Sequence, residues 1–557
     1  MNKYKITRIS QDDADHFFTK EGFERASAIF SRIRFGQKPT PRTPLYKDVP
    51  EDEVFEMWNE ELDRILEVSN KGPDDDGYLG DLIQYDKSRM EKVGPQGELK
   101  PLDDRMDDIL EYWTFQKHID EDDIDMDIID NIRNNLFGIN ATGKRNLLRP
   151  MSVERVVSLD KYDNKLITNS GCPDFGRRND PLILSKAMSD AEFGIWRTYP
   201  MALGARSQRG KERSIFMAPF SLNLREKQFL YPLLELIRSR KIPFFSAWEG
   251  FREVELGFAR QEFFSNEESL LIQQDYRSMD KFYNNKCNKI VKLVCSPIFQ
   301  SKERKNFEEV VDHCLTVPVL ISTDKLIEGR HGMPSGVGFT NFNESIVSNY
   351  YVDWLHKYKM SVLAAQGLGD DLAMEAPVTD DLPIDNEDYT GIAEVLSIAS
   401  EQAAGLVVEP SKQRINRKTT VYLQRFFDKR IREYCEGKEI VVGCYPSILA
   451  LNTAMNPERY HDPRKWSGEM ETLRWLMILE NCYRLPYFPE LVAFFVKGDK
   501  FKLGLGIPGF FDKLPIIFDE AKAIKGFVPT YNQESMDKGI LDFNVVKYLI
   551  RNRSELE

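Results

Sequence analysis

Three short segments of this chain have the residue types and spacing to handle phosphate and divalent cations. They are Asp275-Tyr-Arg-Ser-Met-Asp280, Gly332-Met-Pro-Ser-Gly336 with Thr340 beyond it, and Gly367-Leu-Gly-Asp-Asp371. Nucleotidyl transfer uses two divalent cations a few ångströms apart, one acidifying an attacking hydroxyl and one holding a triphosphate and its leaving pyrophosphate. Mg²⁺ takes few carboxylates and completes its shell with phosphate and water oxygens, so aspartates at the ends of adjacent rigid strands suit it. Each segment alone is weak evidence. Gly-Asp-Asp is common in exposed hairpin turns, and an aspartate at a strand end is usually only solvated. Two apolar strands feeding acidic tips, with a Ser-Gly loop and a helix between them, rarely coincide by accident.

The elements that would carry these residues are legible in outline. Glu268 to Asp275 reads as a strand ending in an acid, and Asn343 to Lys357 as a helix. Met360 to Gln366 reads as a second buried strand, with Gly367 to Asp371 as a tight turn after it. A helix over 390–404 and a short apolar strand, Gly405-Leu-Val-Val408, follow. Further helices are expected at Glu471 to Cys482 and Ile540 to Arg553, whereas 498–520, broken by Gly and Pro, reads mainly as irregular chain. Lys71 to Gly77 is loop-like, and the acidic run Glu121 to Asp127 reads as a solvated helix face.

The chain has 557 residues, 30% charged and 41% hydrophobic, which is ordinary for a globular protein with a large core. Its formal net charge of -13 argues against a coating nucleic-acid binder, but not against an enzyme with a local basic channel. Such a channel has a candidate source. Trp196 to Lys241 carries ten basic and three acidic residues, a local balance of +7, including Arg209, Lys211 and Arg213. Seven scattered cysteines form no CxxC pair and point to a reducing compartment without a disulfide framework. His313 and Cys314 have no neighbours to complete a compact zinc motif. His331 lies near Ser335, but no G-x-S-x-G elbow surrounds that serine. No signal-peptide core and no run of 18 apolar residues occurs, so no membrane span is expected.

In this order, Asp275-x4-Asp280, Ser335-Gly336 with Thr340, and Gly369-Asp370-Asp371 resemble motifs A, B and C of the viral RNA-dependent RNA polymerases. Within that family the chain is most similar to the polymerases of double-stranded RNA viruses of the picobirnavirus type, with partitiviruses next. The diagnostic segments span about 197–430. The resemblance implies an α+β right hand, closed by fingertip and N-terminal contacts. Residues 1–100 would bridge fingers and thumb, 101–265 would form fingers, and 266–284 and 326–430 the palm. Residues 285–325 would be a fingers insertion and 431–557 the thumb and C-terminal region.

Roles follow from the resemblance. Asp275, Asp370 and Asp371 would bind two Mg²⁺, for which Mn²⁺ can substitute. Asp280 would recognise the ribose 2′-hydroxyl, Ser335 and Thr340 would shape the sugar pocket, and Gly336 would permit loop movement. Arg209, Lys211 and Arg213 would contact the incoming triphosphate, Lys412 would act as general acid toward pyrophosphate, and Arg425 would position the product strand. Many members have Asn four residues after the motif B threonine; here that place holds Glu344, leaving Asn343, Asn341 or another group to serve Asp280. A reverse transcriptase is the enzymatic rival, although it commonly has an aromatic residue two places before its Asp-Asp pair, where this chain has Leu368. An RNA-packaging or capsid-associated protein is the non-enzymatic one. The implied partners are template and product RNA, ribonucleoside triphosphates and a viral capsid protein, without a membrane. The implied location is the virion interior, and the host cytoplasm during infection. The Gly504 to Gly509 stretch is a candidate initiation loop.

Overall fold

The computed structural model of the chain describes residues 3–69, 77–138, 147–163, 165–208, 211–379, 382, 388–459, 461–524 and 539–556. Arg209, most of the 71–77 loop and part of the segment before residue 388 therefore lie outside the described residues.

Among the described residues twelve strands form three sheets packed with helices, a mixed α+β architecture. In chain order they are β1 (Lys5–Arg8), β2 (Met201–Gln208), β3 (Lys211–Met217), β4 (Ser269–Asp275), β5 (Val319–Leu320), β6 (Lys325–Glu328), β7 (Ala364–Leu368), β8 (Asp371–Pro377), β9 (Arg414–Asn416), β10 (Thr419–Tyr422), β11 (Arg425–Cys435) and β12 (Lys438–Cys444). A four-stranded sheet runs β7-β8-β4-β9, a five-stranded sheet β1-β6-β5-β2-β3, and a three-stranded sheet β10-β11-β12. β4 is central and covered on both faces, so Leu270, Leu271 and Ile272 form a continuous apolar run rather than an alternation.

Two large hydrophobic cores organise the molecule. The first runs from Phe18 and Phe30 through the four-stranded sheet to Val408. The second joins Leu45, Trp58 and Tyr85 to the C-terminal helices as far as Leu549. The N-terminal hundred residues are thus divided between both cores, and β1 closes the edge of the five-stranded sheet beside β6. Between the sheets, Phe251, Phe258, Phe264, Tyr422 and Phe427 pack behind Leu271 and Ala373 as an aromatic wedge.

Several local expectations are corrected. The second strand begins at Ala364, not Met360. Gly405 to Val408 contributes only an isolated bridge, Val408 to Tyr276, because β9 already occupies the free edge of β4. The 498–520 stretch contains a full helix, Phe510–Lys522, which tolerates Pro515 inside it. Leu503 and Gly504 are buried in the second core, so the 504–509 segment begins as packed chain rather than as a free loop. The acidic run is a turn leading to the helix Met126–Phe137, where Asp125 caps the first backbone amides and pairs with Lys357 at 2.7 Å.

The second core is pinned by one buried carboxylate. Asp86 accepts hydrogen bonds from Ser447 N, Ile448 N, the Ser447 hydroxyl and the Tyr487 hydroxyl, tying the N-terminal region to the start of the helix Ser447–Met455. Removing it strands several buried donors at once. Asp86→Ala should lower unfolding free energy by about 3 kcal/mol, read as a shift in the denaturant midpoint.

Candidate active site

The register of the central sheet brings the acids together. Asp275, the last residue of β4, is the cross-strand partner of Asp371, the first of β8. Directly opposed residues hold their Cβ atoms roughly 5 Å apart. β7 and β8 are joined by a two-residue turn, Gly369-Asp370, so Asp370 stands at the tip beside that pair. Gly369 has φ +61, and an added Cβ would lie 3.3 Å from Glu344 Oε2 and from Asn341 Nδ2. The positive φ favours glycine there.

The helix Thr340–Tyr358 fixes this turn from behind. Ser345 Oγ accepts the Gly369 N–H at 2.9 Å, and Ser348 Oγ donates to the Gly369 carbonyl at 2.9 Å. Neither serine stands out in the sequence. A serine four residues before another turn of a buried helix carries no signal until the turn is seen beside it.

The Ser335-Gly336 loop is held from two sides. Glu226 accepts the backbone N–H groups of Gly338 and Phe339 and the side-chain amide of Asn223. Thr340 Oγ1 donates within the loop, to the carbonyls of Pro334 at 2.7 Å and Val337 at 3.1 Å. Ser335 is exposed, and its hydroxyl reaches the Ser214 carbonyl at 3.5 Å. A Cβ on Gly336 would fall 1.5 Å from the Phe216 carbonyl, so only glycine lets the loop pack this closely against β3. His331 is buried with both ring nitrogens against backbone carbonyls, those of Gly332 and Val317, and is not directed at Ser335.

The basic segment is less available than its composition implies. Arg197 pairs with Glu309, Arg206 with Glu458, Lys227 with Asp160 and Arg238 with Glu249. Lys211 and Arg213 are exposed on β3, and their charges act on the aspartates: Lys211 on Asp275, Arg213 on Asp370 and Asp371. Lys92, from the N-terminal region, acts on Asp275 and Asp371 as well. It lies about a hundred residues from any motif and could not be found from spacing. Lys412 also acts on Asp275 and is paired with Glu409 at 2.5 Å. Gln413 clasps both the N–H and the carbonyl of Asp275 at 3.1 Å, which fixes this segment beside β4.

Arg425 departs from the role expected of it. Only 6% of it is exposed, and its guanidinium stacks on Phe251 at 3.8 Å, so it props the β10–β11 hairpin from within. Asn343 is fully buried, and among the described residues neither atom of its amide has a hydrogen-bond partner. Glu344 is buried beside the turn, and burial, then Asp370 and Asp280, hold its carboxyl well above the usual range.

The acids themselves are strained electrostatically. Surrounding protein raises the Asp275 carboxyl although its surface is open to water, with Lys412, Lys211 and Lys92 opposing. Asp370 is raised by burial and by Asp275 and Asp280. Asp371 is pushed up to about 7 by burial, Asp370 and Asp275. Among the described residues no group of three or more His, Cys, Asp or Glu is placed to hold a metal ion by itself. The donor set nonetheless suits Mg²⁺: hard oxygens, a local excess of negative charge, and exposed tips at Asp275 and Asp370 where phosphate oxygens can complete the shell. A cavity of about 860 Å³ between residues 40–49 and 457–501 contains none of these carboxylates.

A carboxyl raised from 3.8 to about 7 on folding favours the folded state below pH ~4 and loses that contribution as pH climbs through 7. In metal-free protein, Asp371→Asn should therefore raise the thermal midpoint at pH 8. The gain should shrink as pH is lowered toward 4, read by melting at both ends.

Residues 189–390 match the family model described as viral RNA-dependent RNA polymerase. A potential RNA-dependent RNA polymerase of human picobirnavirus (strain Human/Thailand/Hy005102/-) is 27% identical over 512 residues, covering 87% of each chain. The crystal structure of a human picobirnavirus RNA-dependent RNA polymerase superposes with TM-score 0.79 at 25% identity, over 98% of this chain and 100% of that one. Its insertion-loop deletion mutant gives 0.77 at the same identity and coverage. Over nearly its whole length the chain is thus similar, in sequence and in fold, to the RNA-dependent RNA polymerases of picobirnaviruses, and across 189–390 to the viral RNA-dependent RNA polymerase family.

Proposed function

We propose that this polymerase copies RNA through a two-metal site built from Asp275 and Asp370, with Asp371 assisting. The observation that carries the reading is the β4·β8 register, which sets Asp275 opposite Asp371 with Asp370 at the adjoining turn. Divalent cations bound there would acidify the attacking 3′-hydroxyl and neutralise the triphosphate. The hydroxyl oxygen bonds to the α-phosphorus, the α–β bridging bond breaks, and pyrophosphate departs. Lys211 and Arg213 offset charge on the triphosphate from the β3 side, and Lys92 adds a third cation. Lys412, whose charge also acts on Asp275, would hand a proton to pyrophosphate once released from Glu409. Asp280 reads the 2′-hydroxyl, with Ser335 and Thr340 at the sugar.

The four-stranded sheet and the helix Thr340–Tyr358 correspond on this reading to a palm, the first core around them to fingers, and the second core to a thumb. The N-terminal residues shared between the cores would close the hand. Synthesis would serve transcription and replication of a double-stranded RNA genome, inside the virion and in the infected cytoplasm, with the capsid protein as a partner. No helix among the described residues is long and apolar enough to cross a membrane.

Purified protein should incorporate labelled ribonucleotide on single-stranded RNA with Mg²⁺. Asp370→Asn and Asp275→Asn should each cut the rate by at least about a hundredfold. Full activity in either variant would remove that aspartate from the site. Lys211→Ala should mainly raise the KM for nucleotide, roughly tenfold, and a change confined to template binding would contradict its placement at the triphosphate.

A further inference from the structure

The aspartate assigned to the ribose is held by a residue from outside the catalytic segments. Asp280 follows β4 in the short helix Met279–Phe282, and the Tyr112 hydroxyl donates to its Oδ2. Tyr112 lies in the helix Leu102–Thr114, is 3% exposed, and sets its ring edge-on to Phe216 of β3 at 4.8 Å. Its own carbonyl accepts the Gly332 N–H at 2.8 Å, while Met333 N donates to the Asp280 carbonyl at 2.7 Å. Next to it, Lys281 Nζ bonds Glu111 at 2.8 Å and Asp108 at 2.5 Å, and Gln116 Nε2 donates to the Lys281 carbonyl at 2.9 Å. One helix end therefore binds the Asp280 segment and the start of the Ser-Gly loop together.

We propose that Tyr112 is a positioning residue for sugar selection, orienting Asp280 toward the 2′-hydroxyl of the incoming nucleotide. This rests on the assignment of Asp280 to the ribose. A phenol can only donate to an ionised carboxylate, so it occupies one acceptor site on Oδ2. The Lys281 N–H takes one on Oδ1 at 3.1 Å. With a donor on each oxygen the carboxylate cannot rotate freely, and its remaining lone pairs keep one direction. A ribose hydroxyl can satisfy them, whereas a deoxyribose leaves a desolvated acceptor without a donor. The position four residues after Thr340 holds Glu344 in place of an amide, and among the described residues the Asn343 side-chain amide has no hydrogen-bond partner. Among the described residues, Tyr112 is the side chain that donates to Asp280.

The test is single-nucleotide incorporation with a ribonucleotide and its 2′-deoxy analogue, comparing kcat/KM in wild type, Tyr112→Phe, Asp280→Ala and the double variant. Both substrates are read on one preparation, so any loss of folded enzyme cancels from the ratio. Tyr112→Phe should lower the ribo-to-deoxy ratio roughly tenfold, mainly through slower ribonucleotide use. In the Asp280→Ala background it should change the ratio no further. An unchanged ratio in Tyr112→Phe, an equal fall for both substrates, or a further tenfold fall without Asp280 would each overturn the proposal. Asp280→Ala with an undiminished ratio would instead remove Asp280 from the ribose, and the role of Tyr112 would fall with it.

Discussion

Three carboxylates are forced together here by strand register, against their mutual repulsion. Asp275 and Asp371 oppose each other because β4 and β8 pair antiparallel at that point, and a two-residue turn leaves Asp370 nowhere else to stand. Burial raises all three carboxyl groups, and at Asp370 and Asp371 the neighbouring aspartates add to it. Much of the surrounding architecture holds the arrangement in place. Ser345 and Ser348 grip Gly369, Gln413 grips Asp275, and an aromatic wedge fills the space behind the sheet. A site under such electrostatic load keeps its geometry only where neighbours over-determine it.

The acidic chain and its anionic substrates are reconciled by local placement. Much of the basic segment between Trp196 and Lys241 is used up in ion pairs that hold elements together, such as Arg206 with Glu458 and Lys227 with Asp160. The charges that act on the aspartates come from separate places: Lys211 and Arg213 on β3, Lys92 from the N-terminal region and Lys412 beyond β8. Net charge describes solubility and long-range attraction; a few placed cations set the local field at the aspartates.

The N-terminal region couples the two halves more closely than a linker would. It lends Phe18 and Phe30 to one core and Trp58 and Tyr85 to the other, and Asp86 ties it to the helix at Ser447. The helix Leu102–Thr114 then reaches the Asp280 segment and the Ser-Gly loop. Parts distant in sequence thus set the surroundings of Asp280 and of the Ser-Gly loop.

From sequence alone, the chemistry and the order of its carriers could be read. Aspartates at the ends of apolar runs, a Ser-Gly loop and a Gly-Asp-Asp turn are local patterns whose spacing reflects backbone geometry, and the helix over 390–404 was legible from its periodicity. Partnership was not legible. That Arg425 stacks on Phe251 inside the protein, that Gly336 is there to let β3 approach, and that the 504–509 segment starts in a core are facts about neighbours far away in the chain. Glu226 counted as a negative charge in a basic stretch, yet folding makes it the buried clasp of the Ser-Gly loop. Sequence determined which residues can do the chemistry, because side-chain type and strand period are local. Tertiary structure decided which of them meet, because burial and hydrogen-bond partners exist only once distant segments have packed.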